Sequence, residues 1–133
     1  MEIRGVHHVC MAVDDLESAV DTYSRLFGAE VELRDRVEEQ GVDAVYLRVG
    51  DGRVELVSPL SEDSPVGKFL ARRGPGVHHV AFEVDDVREA AHELSASGAN
   101  VIDEVPRPGL GGKEVVFVHP ETLGGVLAEV VGA

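Results

Sequence analysis

Hydrophobic and polar positions along this chain switch between two periods, and the whole cycle runs twice. Alternation over roughly Gly5–Val13 predicts a strand with His8, Cys10 and Ala12 on one face and Val9, Met11 and Val13 on the other. Asp14-x-x-Glu17 then reads as a helix-capping box with Asp in place of Ser or Thr. Leu16, Ala19, Val20, Tyr23, Leu26 and Phe27 recur at helical spacing, and Gly28 suits the left-handed residue past a helix end. Strands are predicted at about 29–36, 42–49 and 53–58, the last two joined by the tight turn Gly50-Asp51-Gly52. In the connector 59–76, Ser64-Pro65 reads as N-cap and first helical residue, so a short helix is expected to about Arg72, ended by Gly74-Pro75-Gly76.

The second half repeats the plan. A strand is predicted over 77–84, with His79, Ala81 and Glu83 opposite Val80, Phe82 and Val84. Asp86-x-x-Glu89 opens a helix with Val87, Ala90, Ala91 and Leu94 on one face, closed by Gly98. Strands are expected near 99–104, 113–118 and 126–131. The Gly- and Pro-rich stretch Pro106–Gly112 is a candidate lid or substrate loop. The order is βαβββ twice, an α+β chain. At 133 residues it is expected to be one domain: module one about 1–58, the connector, and module two about 77–133.

The repeat is visible in the residues themselves. His7-His8-Val9-Cys10-Met11-Ala12-Val13-Asp14-Asp15 is echoed by His78-His79-Val80-Ala81-Phe82-Glu83-Val84-Asp85-Asp86, and Val54-Glu55-Leu56-Val57 by Ala128-Glu129-Val130-Val131. Each half therefore supplies one His early and one Glu late. The large apolar faces should meet the helices, leaving the histidine faces, with their small neighbours, to line a cavity. A carboxylate in the middle of an apolar strand is costly unless paired or metal-bound. His8, Glu55, His79 and Glu129 brought together by a pseudo-twofold axis would make a divalent metal site. Two imidazoles and two carboxylates suit Co²⁺, Mn²⁺, Ni²⁺, Fe²⁺ or Zn²⁺, and an octahedral ion would keep two positions open for chemistry. His7 and His78 point to the opposite faces and read as structural or supporting. His92 and His119 read as peripheral.

Charge narrows the partners. There are 25 acids against 12 bases, a net −13, and only Lys68 and Lys113 are lysines. No nucleic-acid or anionic membrane partner is expected. No apolar run approaches the roughly 20 residues of a membrane span. Met1-Glu2-Ile3-Arg4 lacks a secretion-signal pattern, so the reading is a cytoplasmic protein. The single cysteine, Cys10, reads as a small buried strand residue and cannot form an internal disulfide.

These segments resemble the vicinal oxygen chelate superfamily and, within it, the methylmalonyl-CoA epimerase family. The resemblance spans nearly the whole chain. Its more particular stretches are Glu39-Gln40-Gly41-Val42, Asp63-Ser64-Pro65 and His119-Pro120 followed by Gly125-Val126-Leu127 and Glu129. It implies two βαβββ modules in pseudo-twofold arrangement, forming a curved mixed sheet around a metal-lined cleft. It implies interconversion of (R)- and (S)-methylmalonyl-CoA by 1,1-proton transfer through a metal-stabilised enolate. Cobalt is the metal first expected, held by His8, Glu55, His79 and Glu129, and a homodimer is the usual assembly. Some members carry a glutamate, proposed as one base, where this chain has Ala44; Glu129 is then the candidate base, with the second unassigned. Lys113, Arg107 and Arg72 are candidate contacts for the coenzyme A tail. Competing readings are a glyoxalase I-type lyase acting on a glutathione hemithioacetal, an extradiol dioxygenase (for which Glu55 is an unexplained extra ligand), and a metal-free ligand-binding module. Fold alone does not separate them.

Overall fold

The computed structural model describes all 133 residues, Met1–Ala133. They form two compact units: His8–His78, and His79–Ala133 together with Met1–His7. We refer to these as the N-terminal and C-terminal units.

The N-terminal unit holds most of strand β1 (Gly5–Ala12), helix α1 (Leu16–Phe27), β2 (Glu30–Val37), β3 (Val42–Val49), β4 (Gly52–Pro59) and α2 (Pro65–Arg73). Its strands lie in the order β2-β3-β4-β1. β4 runs parallel to β1, and the other two pairings are antiparallel. Met11 and Val13 pack with Leu16, Ala19, Val20 and Tyr23 of the helical segment over Val45, Leu47 and Leu56 of the sheet. The larger apolar face of β1 thus meets the helix, as its alternation predicts.

The helix ends follow local chemistry. α1 is capped by Asp15, whose side chain accepts from the Ser18 amide, so the cap lies one residue later than the capping-box reading placed it. Gly28 takes the left-handed conformation past its end, φ 65°. Leu26 and Phe27 continue the helical spacing but stay 58% and 64% exposed, so the apolar stripe outlasts the packed face. α2 starts as expected, with the Ser64 hydroxyl accepting from the Gly67 amide and Pro65 in the first turn.

The C-terminal unit repeats this topology with most of β5 (Gly76–Val84), α3 (Val87–Ala96), β6 (Arg107–Pro108), β7 (Glu114–Val118) and β8 (Leu127–Gly132), in the order β5-β8-β7-β6. β5 and β8 are parallel. Asp86 caps α3 through the Glu89 amide, and Val87, Ala90, Ala91 and Leu94 pack on Val116, Val118 and Val130.

One predicted strand is absent. Residues 99–104 make only a single bridge, Val101 to Val118. The Asp103 carboxylate accepts from the Phe117 amide at 2.7 Å, taking a donor that a paired strand would need. The third strand of this unit is instead the two-residue β6, within the stretch read as a candidate lid. That stretch is pinned to β7 through Arg107↔Val115 and Pro108↔Glu114, and Leu110 is buried. No helix is long and apolar enough to cross a membrane.

Candidate metal centre

Register places one His/Glu pair in each unit. In the N-terminal unit, Cys10 on β1 and Tyr46 on β3 both stand opposite Glu55 on β4. Alternation carries His8 to the same face as Cys10. His8 Nε2 lies 3.2 Å from Glu55 Oε1. The Tyr46 ring packs on the imidazole at 5.2 Å between centroids. In the C-terminal unit, Ala81 on β5 and Phe117 on β7 both stand opposite Glu129 on β8. His79 Nε2 lies 3.7 Å from Glu129 Oε2. Phe117 meets the His79 ring at 5.3 Å with the planes nearly perpendicular. The two units thus build the same four-part arrangement of histidine, glutamate, aromatic ring and small strand neighbour.

All four polar side chains are buried: His8 is 1% exposed, Glu55 6%, His79 3% and Glu129 4%. Buried imidazoles and carboxylates side by side are the donor types that a divalent transition-metal ion takes. Bonds of about 2.1 Å from a metal to nitrogen and oxygen, at tetrahedral or octahedral angles, hold neighbouring donors roughly 3.0–3.4 Å apart. The spacings of 3.2 and 3.7 Å lie at or near that range before any ion draws them in. Donor type, burial and spacing therefore suit both pairs to serve as ligands of a divalent cation.

The other sequence candidates fall as follows. His7 is buried. His78 packs edge-on against Phe69 at 5.0 Å. Burial pushes its imidazole below the ordinary histidine pKa, against an opposing pull from the Glu55 charge, so it sits neutral. His119 is structural: its Nδ1 accepts from the Glu121 amide and caps the 3-10 turn Pro120–Thr122. His92 is exposed on α3. Cys10 is buried, beside Glu55 in register. Ala44 is fully buried and pairs with Val57, two residues from Tyr46 and so on the same face. Asp43 is engaged by Arg34 at 3.3 Å. Arg72 is exposed in the last turn of α2, and Lys113 is half-buried beside the 3-10 turn Leu110–Gly112. Arg107 lies over the Phe117 ring at 5.0 Å and pairs with Asp103.

The sequence reading missed Tyr46, Phe117 and Arg53. Tyr46 carried a usable signal. A two-residue turn at Gly50-Asp51 pairs residues whose numbers sum to 101, which sets Tyr46 opposite Glu55. Phe117 had none, because the connection between β7 and β8 is long and does not fix a register.

The family model of the glyoxalase/bleomycin resistance protein/dioxygenase superfamily matches residues 7–117. The chain is 39% identical to a mitochondrial methylmalonyl-CoA epimerase of Bos taurus, over 94% of this chain and 72% of that protein. It is 36% identical to an ethylmalonyl-CoA/methylmalonyl-CoA epimerase of Cereibacter sphaeroides, over 96% of this chain and 97% of that one. Among solved structures, a variant of the Streptomyces coelicolor methylmalonyl-CoA epimerase in complex with 2-nitronate-propionyl-CoA superposes with a TM-score of 0.97 at 36% identity, covering 99% of each chain. Similarity to a lactoylglutathione lyase of Arabidopsis thaliana is weaker, 28% over 85% of this chain and 39% of that protein.

Proposed function

The chain belongs to the glyoxalase/bleomycin resistance protein/dioxygenase superfamily, and from that premise we propose that it is a metal-dependent epimerase interconverting (R)- and (S)-methylmalonyl-CoA. The observation that carries this reading is the repeated buried His/Glu pair, in a chain similar to such epimerases over nearly its whole length. His8, Glu55, His79 and Glu129 together hold one divalent cation, Co²⁺ in first place, with Mn²⁺, Ni²⁺ or Zn²⁺ as alternatives. The two βαβββ units then act as one domain around that ion, and the working assembly is a homodimer.

Epimerisation removes the C2 proton of the substrate and returns one to the opposite face. The C–H electron pair moves into the thioester carbonyl, giving an enolate, and reprotonation reverses that flow. A cation held by His8, Glu55, His79 and Glu129 would supply positive charge to offset the negative charge that develops on the thioester oxygen. Glu55 and Glu129 bring two negative charges to balance the cation. Tyr46 and Phe117, packed on the two imidazoles, hold the rings in place. Ala81, Val115, Phe117 and Val131 form an apolar wall beside His79 and Glu129 that keeps water from the site. Glu129 is the candidate for one of the two proton transfers. Ala44 carries no acid–base group, so the second belongs to another side chain.

The glyoxalase I-type reading has the weaker similarity, and a metal-free binding module gives the repeated buried His/Glu pairs no role. Chelator-stripped protein, reloaded with Co²⁺ and offered each substrate, separates all three. The expected result is epimerisation of methylmalonyl-CoA that disappears on stripping, returns on reloading, and is absent with the glutathione hemithioacetal. Metal-independent turnover, or turnover of the hemithioacetal instead, would contradict the proposal.

A further inference from the structure

Behind each His/Glu pair stands a guanidinium, and the two guanidinium groups come from unrelated sequence positions. In the N-terminal unit, Arg53 of β4 lies over the Tyr46 ring, 5.4 Å from its centroid, and Tyr46 in turn packs on His8. In the C-terminal unit, Arg107 of β6 lies over Phe117 at 5.0 Å, and Phe117 packs on His79. Both distances are within the range of a cation–π contact.

Each arginine is itself held. Glu32 takes Arg53 through both carboxylate oxygens, with Nε at 2.6 Å and Nη2 at 3.3 Å. Asp103 takes Arg107 Nε at 3.2 Å, and its other oxygen accepts from the Phe117 amide at 2.7 Å. Asp103 thus ties the cation to the backbone of the ring it covers. Both rings stand opposite the glutamate of the pair in register, Tyr46 opposite Glu55 and Phe117 opposite Glu129.

Descent from one repeated module does not explain the arginines. Arg53 sits two residues before Glu55, and two residues before Glu129 the chain has Leu127. Arg107 pairs with Val115, two residues before Phe117; the matching partner of Ala44, two before Tyr46, is Asp35. The histidines and glutamates repeat in sequence, whereas the covering cations reach the same place by different routes. A third stack, Arg73 over Phe69 against His78, joins residues four apart on α2, so helical spacing alone produces it.

We infer that Arg53 and Arg107 are positioning residues that act through Tyr46 and Phe117 to fix the imidazoles of His8 and His79 for metal binding. The inference rests on the reading that the His/Glu pairs bind a divalent cation. Clamping the ring limits the tilt of the imidazole, so Nε2 stays directed at its glutamate without loss of side-chain freedom when the ion arrives. It also gives Arg107 a task other than contact with coenzyme A.

The test is the dissociation constant of Co²⁺, measured by competition with a chelating dye, for wild-type protein, Arg53→Met, Arg107→Met, Arg107→Lys and Arg73→Met. The two methionine variants at the ligand stacks are expected to bind Co²⁺ about tenfold more weakly and to shift its visible absorption bands. Arg107→Lys should recover part of the loss, because an ammonium can still sit on the Phe117 face. Arg73→Met should bind as wild type does. Unchanged affinity and spectra in both ligand-stack variants would overturn the inference. So would an equal loss in Arg73→Met, which would mark a general charge effect. A raised KM for methylmalonyl-CoA in Arg107→Met at saturating Co²⁺, with metal affinity unchanged, would also overturn it and assign Arg107 to the substrate. Wild-type protein that holds no Co²⁺ would overturn the metal centre itself, and the inference with it.

Discussion

At the scale of single residues, the carboxylates that suit the proposed chemistry are both buried. Glu129 is 4% exposed beside a histidine, in a strand otherwise of small and apolar residues. Replacing it with Gln keeps the shape of the side chain and removes the negative charge that a bound cation would meet. Glu129→Gln should therefore lose most of its affinity for Co²⁺. Wild-type protein at 100 times its dissociation constant should gain about 2.7 kcal/mol from the ion, and the variant little. Thermal melts with and without Co²⁺ read both effects; a variant stabilised by Co²⁺ as much as wild type would show that Glu129 is not a ligand. The histidines and glutamates were legible because they recur in matched apolar surroundings, His8 with His79 and Glu55 with Glu129. The aromatic and arginine layer behind them was not, because it recurs only in space.

At the scale of elements, caps and close approaches decide what is sensitive. The Ser64 hydroxyl accepts from the Gly67 amide and donates to the Ser61 carbonyl at 2.8 Å. Ser64→Ala should cost about 1 kcal/mol in a denaturant melt. Gly67→Ala should cost more, since a Cβ there would lie 2.5 Å from the Ser61 carbonyl oxygen and 2.7 Å from that of Glu62, both rigid backbone atoms. A Gly67→Ala protein as stable as wild type would mean that the turn before α2 yields easily. Arg4 pairs with Asp85 just before α3 and holds that carboxyl below its ordinary 3.8. A depressed folded value means that the pair stabilises above about that pH and that its contribution fades as pH falls through the folded value. Asp85→Asn should therefore be less stable than wild type at pH 7 and match it at strongly acid pH, as followed by urea melts at both. Most elements could be read from period and caps: β1, α1, β3, β4, α2, β5 and α3 lie within a residue or two of expectation. The exception, 99–104, has strand-like residues, but Asp103 spends its side chain on the Phe117 amide, and the edge role passes to Arg107-Pro108. Alternation of residue types does not report which side chain will take a backbone donor.

At the scale of the whole molecule, a net charge of −13 on 133 residues means self-repulsion at neutral pH. Sodium chloride at about 1 M shortens the screening length to roughly 3 Å and should raise the melting temperature; no rise would show that the acidic groups are already balanced by their arginine partners. The central claim is that this charge-rich fold carries a metal-dependent proton transfer at C2 of methylmalonyl-CoA. The most direct measurement is deuterium entry at C2 when Co²⁺-loaded protein is incubated with one epimer in deuterated water. Exchange with scrambling of configuration, lost on stripping the metal and in Glu129→Ala, is the result expected. Retention of both the C2 proton and the starting configuration with Co²⁺, Mn²⁺, Ni²⁺ or Zn²⁺ bound would contradict it.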